Sequence, residues 1–314
     1  MATLTSEMAA APREAQSARF ARLRRREQWR FLILLAPALI FLLALYGYPV
    51  ASMLMRAFYE PTWGLQNLAP LVEPSSTVEV LGISLPMNVY LRVFWITLQI
   101  SLVTTVCTLL LGYPVAFALS SVSPGRANLL MMLVLIPFWT SILVRSYAWM
   151  VLLGQEGIIN EALTTAGVIE NPIRLLNTRF AVYLGMVHIL LPFMILPLYA
   201  VMRGIDRNLM RAAGNLGAPP AAVFRRIFLP LSLPGIAAGC LLVFILSLGF
   251  YITPSLLGGQ RDVMVSMLIQ QQVDLLKWGF GAALALVLLV LALGIYLLFT
   301  RLLGVERVFG SARA

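Results

Sequence analysis

Six apolar stretches, each longer than twenty residues, constrain this chain more than any other feature. They run from Phe31 to Met55, Val93 to Leu119, Leu129 to Leu153, Ala181 to Met202, Leu233 to Leu257 and Ala282 to Leu303. About 20 mostly apolar residues suffice for a helix to cross the roughly 30 Å hydrocarbon layer of a bilayer. The expectation is an all-α membrane protein with six transmembrane helices. Composition excludes the soluble alternative: 60% of the 314 residues are apolar and 11% are charged, against about 45–50% and about 25% in a soluble globular protein. A disordered chain is excluded by the same apolar content.

The formal charge of +10 points to lipid rather than to nucleic acid, because of where it sits. Seven arginines lie between Arg13 and Arg30, directly before the first stretch. Basic residues beside a span orient it and contact anionic headgroups. With the N-terminus inside, the inner segments carry sixteen basic residues against five acids, and the outer segments six against eight. Both termini are therefore expected in the cytoplasm. The first stretch is too long for a cleavable leader and no A-x-A-like site follows it promptly, so it reads as an uncleaved helix. The expected layout is a basic tail over 1–30, a first span over 31–58, an outer loop over 59–91, five further helices over 92–303 and a tail over 304–314. Two outer loops, Tyr59–Leu91 and Gly154–Phe180, have room for short surface helices. The longest inner connection covers 203–232.

Several chemistries have no residues to perform them. An ATP-binding P-loop needs a lysine after its glycine-rich turn, and the one lysine, Lys277, is followed by Trp278 in an outer loop. Ion-coupled carriers commonly hold acids within the membrane, whereas all 13 acids map to loops and tails. The single histidine, His188, stands among Val187, Ile189 and Leu190 and reads as a packing or hydrogen-bonding residue. Cys107 and Cys240 lack metal or redox spacing. No cofactor and no catalysis are expected. A transporter so equipped borrows its energy from another subunit, or else is a passive channel.

The inner connection is the most specific segment. From Arg211 it reads Arg-Ala-Ala-Gly-Asn-Leu-Gly-Ala-Pro-Pro-Ala-Ala-Val-Phe-Arg-Arg-Ile-Phe-Leu-Pro. Ala212 and Ala213 favour helix, and Gly217 supplies a stop by accepting positive φ. Pro219 and Pro220 suit the first turn of a second helix. That helix would carry Val223, Phe224 and Ile227 on one side, leave Arg225 and Arg226 exposed, and end at Leu229-Pro230.

This spacing resembles the EAA signature of binding-protein-dependent ABC importer permeases: E-A-A, three residues, Gly, nine residues, Ile-x-Leu-Pro. Ala212, Ala213, Gly217, Ile227, Leu229 and Pro230 fall in register, while Arg211 stands where the motif has Glu. The resemblance implies the type I (MetI-like) permease architecture, with no enzymatic activity in this chain. It makes Arg211, Ala212, Ala213, Gly217, Ala218, Phe224, Ile227, Leu229 and Pro230 the surface that docks on a separate ATPase. It also implies two ATP-binding subunits, a second homologous permease, a periplasmic solute-binding protein and a bacterial inner-membrane location.

Further segments are similar to the spermidine/putrescine permeases of this family: Leu111-Gly-Tyr-Pro-Val-Ala116, Pro137–Trp149, His188–Tyr199 and Thr253–Gly259. Pro114, Pro137, Pro192, Pro197 and Pro254 are expected to break helices, as is tolerated where backbone lines protein or a cavity. Arg145 is either a gate or cavity residue or an interfacial anchor. Trp139, Tyr147, Trp149, His188, Tyr251 and Thr253 are candidates for the solute path, the aromatic ones equally for interface anchors. The polyamine branch often has Asp where this chain has Phe250, so the solute class stays open among polyamines, other organic cations and amino-acid-like amines. The alternative to an importer subunit is a stand-alone channel or ion-coupled carrier.

Overall fold

The computed structural model describes residues 34–73, 76–80 and 83–303. The two tails, 1–30 and 304–314, lie outside the described residues. The chain divides into two units, 1–56 and 57–314. Among the described residues, six helical stretches are long and apolar enough to cross a membrane, the third of them running over Ile142–Thr165, and one hairpin is the only strand pair.

Helix α1 covers Leu34–Tyr59. It contains a π turn, Leu43–Gly47, in which the Tyr48 N–H donates to the Leu43 carbonyl. Pro49 follows at once. A proline ring collides with the carbonyl four residues back in a regular helix, and the wider π turn relieves that crowding.

From residue 57 onward, α2 (Ala69–Val72) precedes an antiparallel hairpin of β1 (Ser76–Val80) and β2 (Ile83–Met87), in register Ser76 to Met87. The short helix fits the sequence expectation for this loop; the hairpin does not. Helix α3 (Val89–Ser121) starts at Asn88, whose side chain accepts from the Tyr90 N–H. Pro114 lies inside α3 without ending it. Helix α7 (Arg179–Gly204), capped by Thr178, likewise runs through Pro192 and Pro197. The expected breaks at these three prolines do not occur. Each removes one backbone donor, and the neighbouring helices over-determine the path.

The third span is where a proline does act. The expected single helix over 129–153 is instead α4 (Pro124–Leu135), a 3-10 turn Ile136–Trp139 that contains Pro137, and α5 (Ile142–Leu153). A short helix, α6 (Ile158–Thr165), follows.

The 203–232 connection forms α8 (Arg207–Asn215) and then α9 (Pro220–Leu248). Here the expected stop at Leu229-Pro230 is overturned, because α9 is continuous through it into the fifth span. The reason repeats that of α1. A π turn, Phe224–Phe228, ends with the Leu229 N–H donating to the Phe224 carbonyl, and Pro230 comes next. The span therefore begins earlier than Leu233 and stops at Leu248. The chain breaks at Gly249–Tyr251 before α10 (Ile252–Leu257), and the Phe250 carbonyl freed there accepts from Ser266 Oγ at 2.6 Å. Helices α11 (Val265–Asp274) and α12 (Trp278–Leu303) complete the fold.

The core is α7 packed between α3 and α9. In its apolar window 61% of residues are buried, against 33% in those of α3 and α9, so α7 is the axis of the unit. Ile96 and Ile100 of α3, Met186, Leu190 and Met194 of α7, and Val243 of α9 interlock there. Lipid is as apolar as leucine, so this association depends on close packing. Gly239 makes it possible: a Cβ there would lie 2.7 Å from Met194 Sδ and 3.3 Å from the Met194 carbonyl.

Candidate coupling and translocation residues

The α8–α9 elbow forms from local rules. Asp206 caps α8 by accepting from the Asn208 N–H at 2.9 Å. At the other end Gly217 takes φ +84°. Its N–H donates to the Gly214 carbonyl at 2.9 Å, and the Ala218 N–H reaches back to the Ala213 carbonyl at 3.1 Å. This is a Schellman stop with glycine in the left-handed position. Pro219 then occupies the N-cap and Pro220 the first position of α9.

The elbow is fastened to the end of α3 in two ways. Arg203 donates to the Val122 carbonyl at 3.1 Å and Arg207 to the Ser120 carbonyl, placing two cations at a helix C-terminus where its dipole favours them. The second fastening is aromatic. Phe224 meets Tyr113 and Phe117 edge-on at 6.1 and 5.8 Å, and Phe228 meets Phe117 edge-on at 4.9 Å. Phe224 and Phe228 stack at 5.9 Å. Tyr113 Oη also lies 2.9 Å from Ser232 Oγ, which itself donates to the Leu229 carbonyl, so the tyrosine is the donor between them. Phe228 is 2% exposed. An apolar cavity of about 290 Å³ lies between α8 and α9, lined by Met210, Ala218, Val223 and the phenylalanines.

Among the elbow residues singled out in the sequence, Arg211, Ala212, Gly217, Phe224 and Pro230 are exposed, while Ala213, Ala218, Ile227 and Leu229 are half-buried. Arg225 and Arg226 are exposed, as expected. Leu216 is the most exposed large apolar side chain of the elbow, at 89%. Sequence reasoning missed Phe228 and its partners Tyr113 and Phe117. The Phe224/Phe228 spacing of four residues was a signal for the stacked pair, but nothing local pointed to α3.

The path candidates separate into two groups. Trp149 and His188 come together: Trp149 Nε1–H donates to His188 Nδ1 at 3.0 Å with the rings at 79°, and Arg145 lies one helical turn before Trp149 on α5. A neutral histidine accepting at Nδ1 carries its proton on Nε2. Thr253 joins α10 to α5 through Ser146, with Oγ1 and Oγ 3.0 Å apart and both side chains fully buried. Gly185 lets α10 approach α7, since a Cβ there would lie 2.7 Å from Thr253 Cγ2 and 2.6 Å from Leu257 Cδ1. Trp139, Tyr147 and Tyr251 join neither cluster and are 91%, 53% and 40% exposed. Ser146 and Gly185 were not legible as site residues, because their significance lies in what faces them. At one end of the bundle, Arg179 Nε pairs with Asp262 Oδ1 at 2.7 Å and its Nη1 donates to Gln99 at 2.9 Å. Among the described residues, no cluster of His, Cys, Asp or Glu is able to hold a metal.

Membrane-length helices and a structured elbow between the fourth and fifth of them describe a polytopic membrane protein. Over residues 100–304 the chain matches the family described as binding-protein-dependent transport system inner membrane component. It belongs to that family: a multi-pass inner-membrane permease of the ABC importers, without catalytic activity of its own. It is 44% identical over 203 residues to the spermidine/putrescine transport system permease protein PotB of Haemophilus influenzae, covering 64% of this chain and 71% of that one. It is 36% identical over 243 residues to PotB of Escherichia coli K12, covering 77% and 83%. The inner membrane ABC transporter permease protein YdcU of the same organism is 31% identical over 298 residues, covering 87% and 89%. In fold it is similar to a chain of a bacterial alginate ABC transporter in complex with an alginate pentasaccharide-bound periplasmic protein, with TM-score 0.69 and 19% identity over 88% of this chain and 94% of that one.

Proposed function

We propose that this chain is one of two permease subunits in an ATP-driven importer that carries a polyamine of the spermidine/putrescine class across the inner membrane. The names of its relatives support the solute class. In this reading both termini and the 203–232 connection face the cytoplasm, following the arginine distribution. The complex contains two ATP-binding subunits, a second homologous permease and a periplasmic solute-binding protein. The proposed layout is a basic cytoplasmic tail over 1–30, a first span over 31–58, a periplasmic loop over 59–91, a permease core over 92–303 and a cytoplasmic tail over 304–314.

The observation that carries the proposal is the fastening of the elbow to α3 by Phe224, Phe228, Arg203 and Arg207. A docking element moves a bundle only if it is rigidly joined to it. Closure of the ATPase dimer on α8 and the start of α9 would be passed to α3, and thence to α7 on which α3 is packed. ATP acts by favouring one packing of the bundle over the other. Arg145, Trp149, His188 and Thr253 lie along the route, with the more exposed Trp139, Tyr147 and Tyr251 flanking it.

The test is reconstitution of the complete transporter in liposomes, followed by uptake of labelled putrescine and spermidine. Uptake that needs both ATP and the binding protein is expected. Uptake by this chain alone, down a gradient, would establish the channel or carrier reading instead.

A further inference from the structure

We propose that a polar cleft at the end of α7 opposite the elbow receives surface carboxylates of the solute-binding protein, with Arg174 and Arg261 as their partners. The inference rests on the importer reading above and names the chemistry of one of its docking faces.

The cleft has a volume of about 420 Å³ and lies between the loop before α7, which supplies Arg174 and Asn177, and the loop joining α10 to α11, which supplies Gly259, Arg261 and Asp262. It adjoins the Arg179 end of α7, whereas the elbow follows the Gly204 end. The helix is 26 residues long, roughly 39 Å at about 1.5 Å per residue. An ATPase seated on the elbow therefore leaves the cleft free for a partner on the other side of the membrane.

The charge of the cleft is unbalanced. Asp262 is buried and already paired with Arg179 at 2.7 Å. Arg174 and Arg261 are exposed and have no ion-pair partner among the described residues. Two positive charges remain for a ligand. A polyamine, itself polycationic, is repelled there, so this is not a solute site. An anionic membrane surface is poorly matched too, because the stretch 154–178 sets Glu156, Glu161 and Glu170 against Arg174. The attraction is local to the cleft, which suits discrete carboxylates carried on a protein.

Both arginines stand on braced backbone. Ile173, next to Arg174, donates its N–H to Asn160 Oδ1 and accepts at its carbonyl from Asn160 Nδ2, each at 3.0 Å, and Asn160 is buried. Asp262, next to Arg261, is held by Arg179, which also reaches Gln99 of α3 at 2.9 Å. The two walls press together at Gly259, where a Cβ would lie 2.6 Å from the Asn177 carbonyl oxygen. Pre-organised groups lose less freedom on binding than mobile ones.

The test measures ATPase activity of the complete transporter in phosphatidylcholine nanodiscs against the concentration of its putrescine-loaded solute-binding protein. The variants are Arg174→Gln/Arg261→Gln, Arg174→Glu/Arg261→Glu and, as a control, Arg92→Gln, which changes an exposed arginine outside the cleft. The double Gln variant is expected to need roughly tenfold more binding protein for half-maximal stimulation, and the double Glu variant more still. Full activity at saturation shows that each variant is assembled. Raising the ionic strength to about 1 M, where the screening length is about 3 Å, should weaken the wild type and narrow the gap. A change within twofold in the double Glu variant overturns the proposal. So does an equal change in Arg92→Gln, which signals diffuse steering, or a defect seen only with phosphatidylglycerol present, which assigns the cleft to lipid headgroups. If the binding protein fails to stimulate even the wild type, the importer reading falls and the proposal with it.

Discussion

Gly217 offers a sharp test of the elbow, because its environment separates backbone conformation from steric crowding. A Cβ at this position meets nothing within 4 Å, so no neighbour resists a side chain. What resists it is φ +84°. An L-residue in the left-handed region costs about 1–2 kcal/mol, with Asn the least penalised. Gly217→Ala is therefore expected to cost about 1 kcal/mol, and Gly217→Asn a few tenths. A β-branched residue is a genuine outlier there, so Gly217→Val abandons the conformation. It then also loses the two stop bonds to Gly214 and Ala213, worth about 1 kcal/mol each. That loss of about 2 kcal/mol lowers the population of the correct elbow by roughly 30-fold, against roughly fivefold for alanine. The assay is solute imported per ATP hydrolysed in proteoliposomes, with ATPase co-purification as a control. The expected order is Gly, Asn, Ala, Val. A valine variant that couples normally would show that the left-handed turn is dispensable. An asparagine variant as defective as valine would show that something other than backbone conformation is at stake.

Other expectations follow from the same geometry. Phe228→Ala removes two ring contacts worth about 0.5–1.5 kcal/mol each. Thermal unfolding should show a loss of about 3–5 kcal/mol, together with ATP hydrolysis no longer matched by uptake. Thr253→Val leaves Ser146 Oγ buried without its partner, at a cost of about 1–3 kcal/mol. Thr253→Ser, which keeps the hydroxyl, should retain most of the stability seen in a melting curve. Gly185→Leu places its Cβ against Thr253 and Leu257 and should prevent α10 from docking, read as protease sensitivity between Gly249 and Gly259. Gly185→Ala should be milder, because the Leu257 contact is with the end of a flexible side chain.

Much of the fold was legible because membrane spans are written in length and apolarity. The second, fourth and sixth spans emerged within a few residues of their sequence limits for that reason. The misreadings concern proline. Pro114, Pro192 and Pro197 were expected to interrupt helices and do not, while Pro137 does. The Leu229-Pro230 stop failed because a π turn absorbed the proline. The sequence around a proline states which hydrogen bond is lost, and only the packing around it decides whether the helix bends, widens or stops. In the elbow, Gly217 and the proline pair were readable because capping is local chemistry. The pairing of Phe228 with Phe117 and of Ser146 with Thr253 joins residues about a hundred positions apart, and no periodicity in one helix announces its partner in another.

If an ATPase moves the bundle through the α8–α9 elbow, the most exposed apolar side chain of that elbow should sit against it. Leu216, at 89% exposure, is the residue on which to measure this. A single cysteine at Leu216, with Cys107 and Cys240 replaced by alanine, should crosslink to the ATP-binding subunit in the assembled transporter, with a yield that changes between the nucleotide-free and ATP-bound states. Labelling of that cysteine from the periplasmic side would place the elbow on the wrong face of the membrane. A cysteine that stays fully reactive while the ATPase is bound would mean that the motor grips the permease elsewhere.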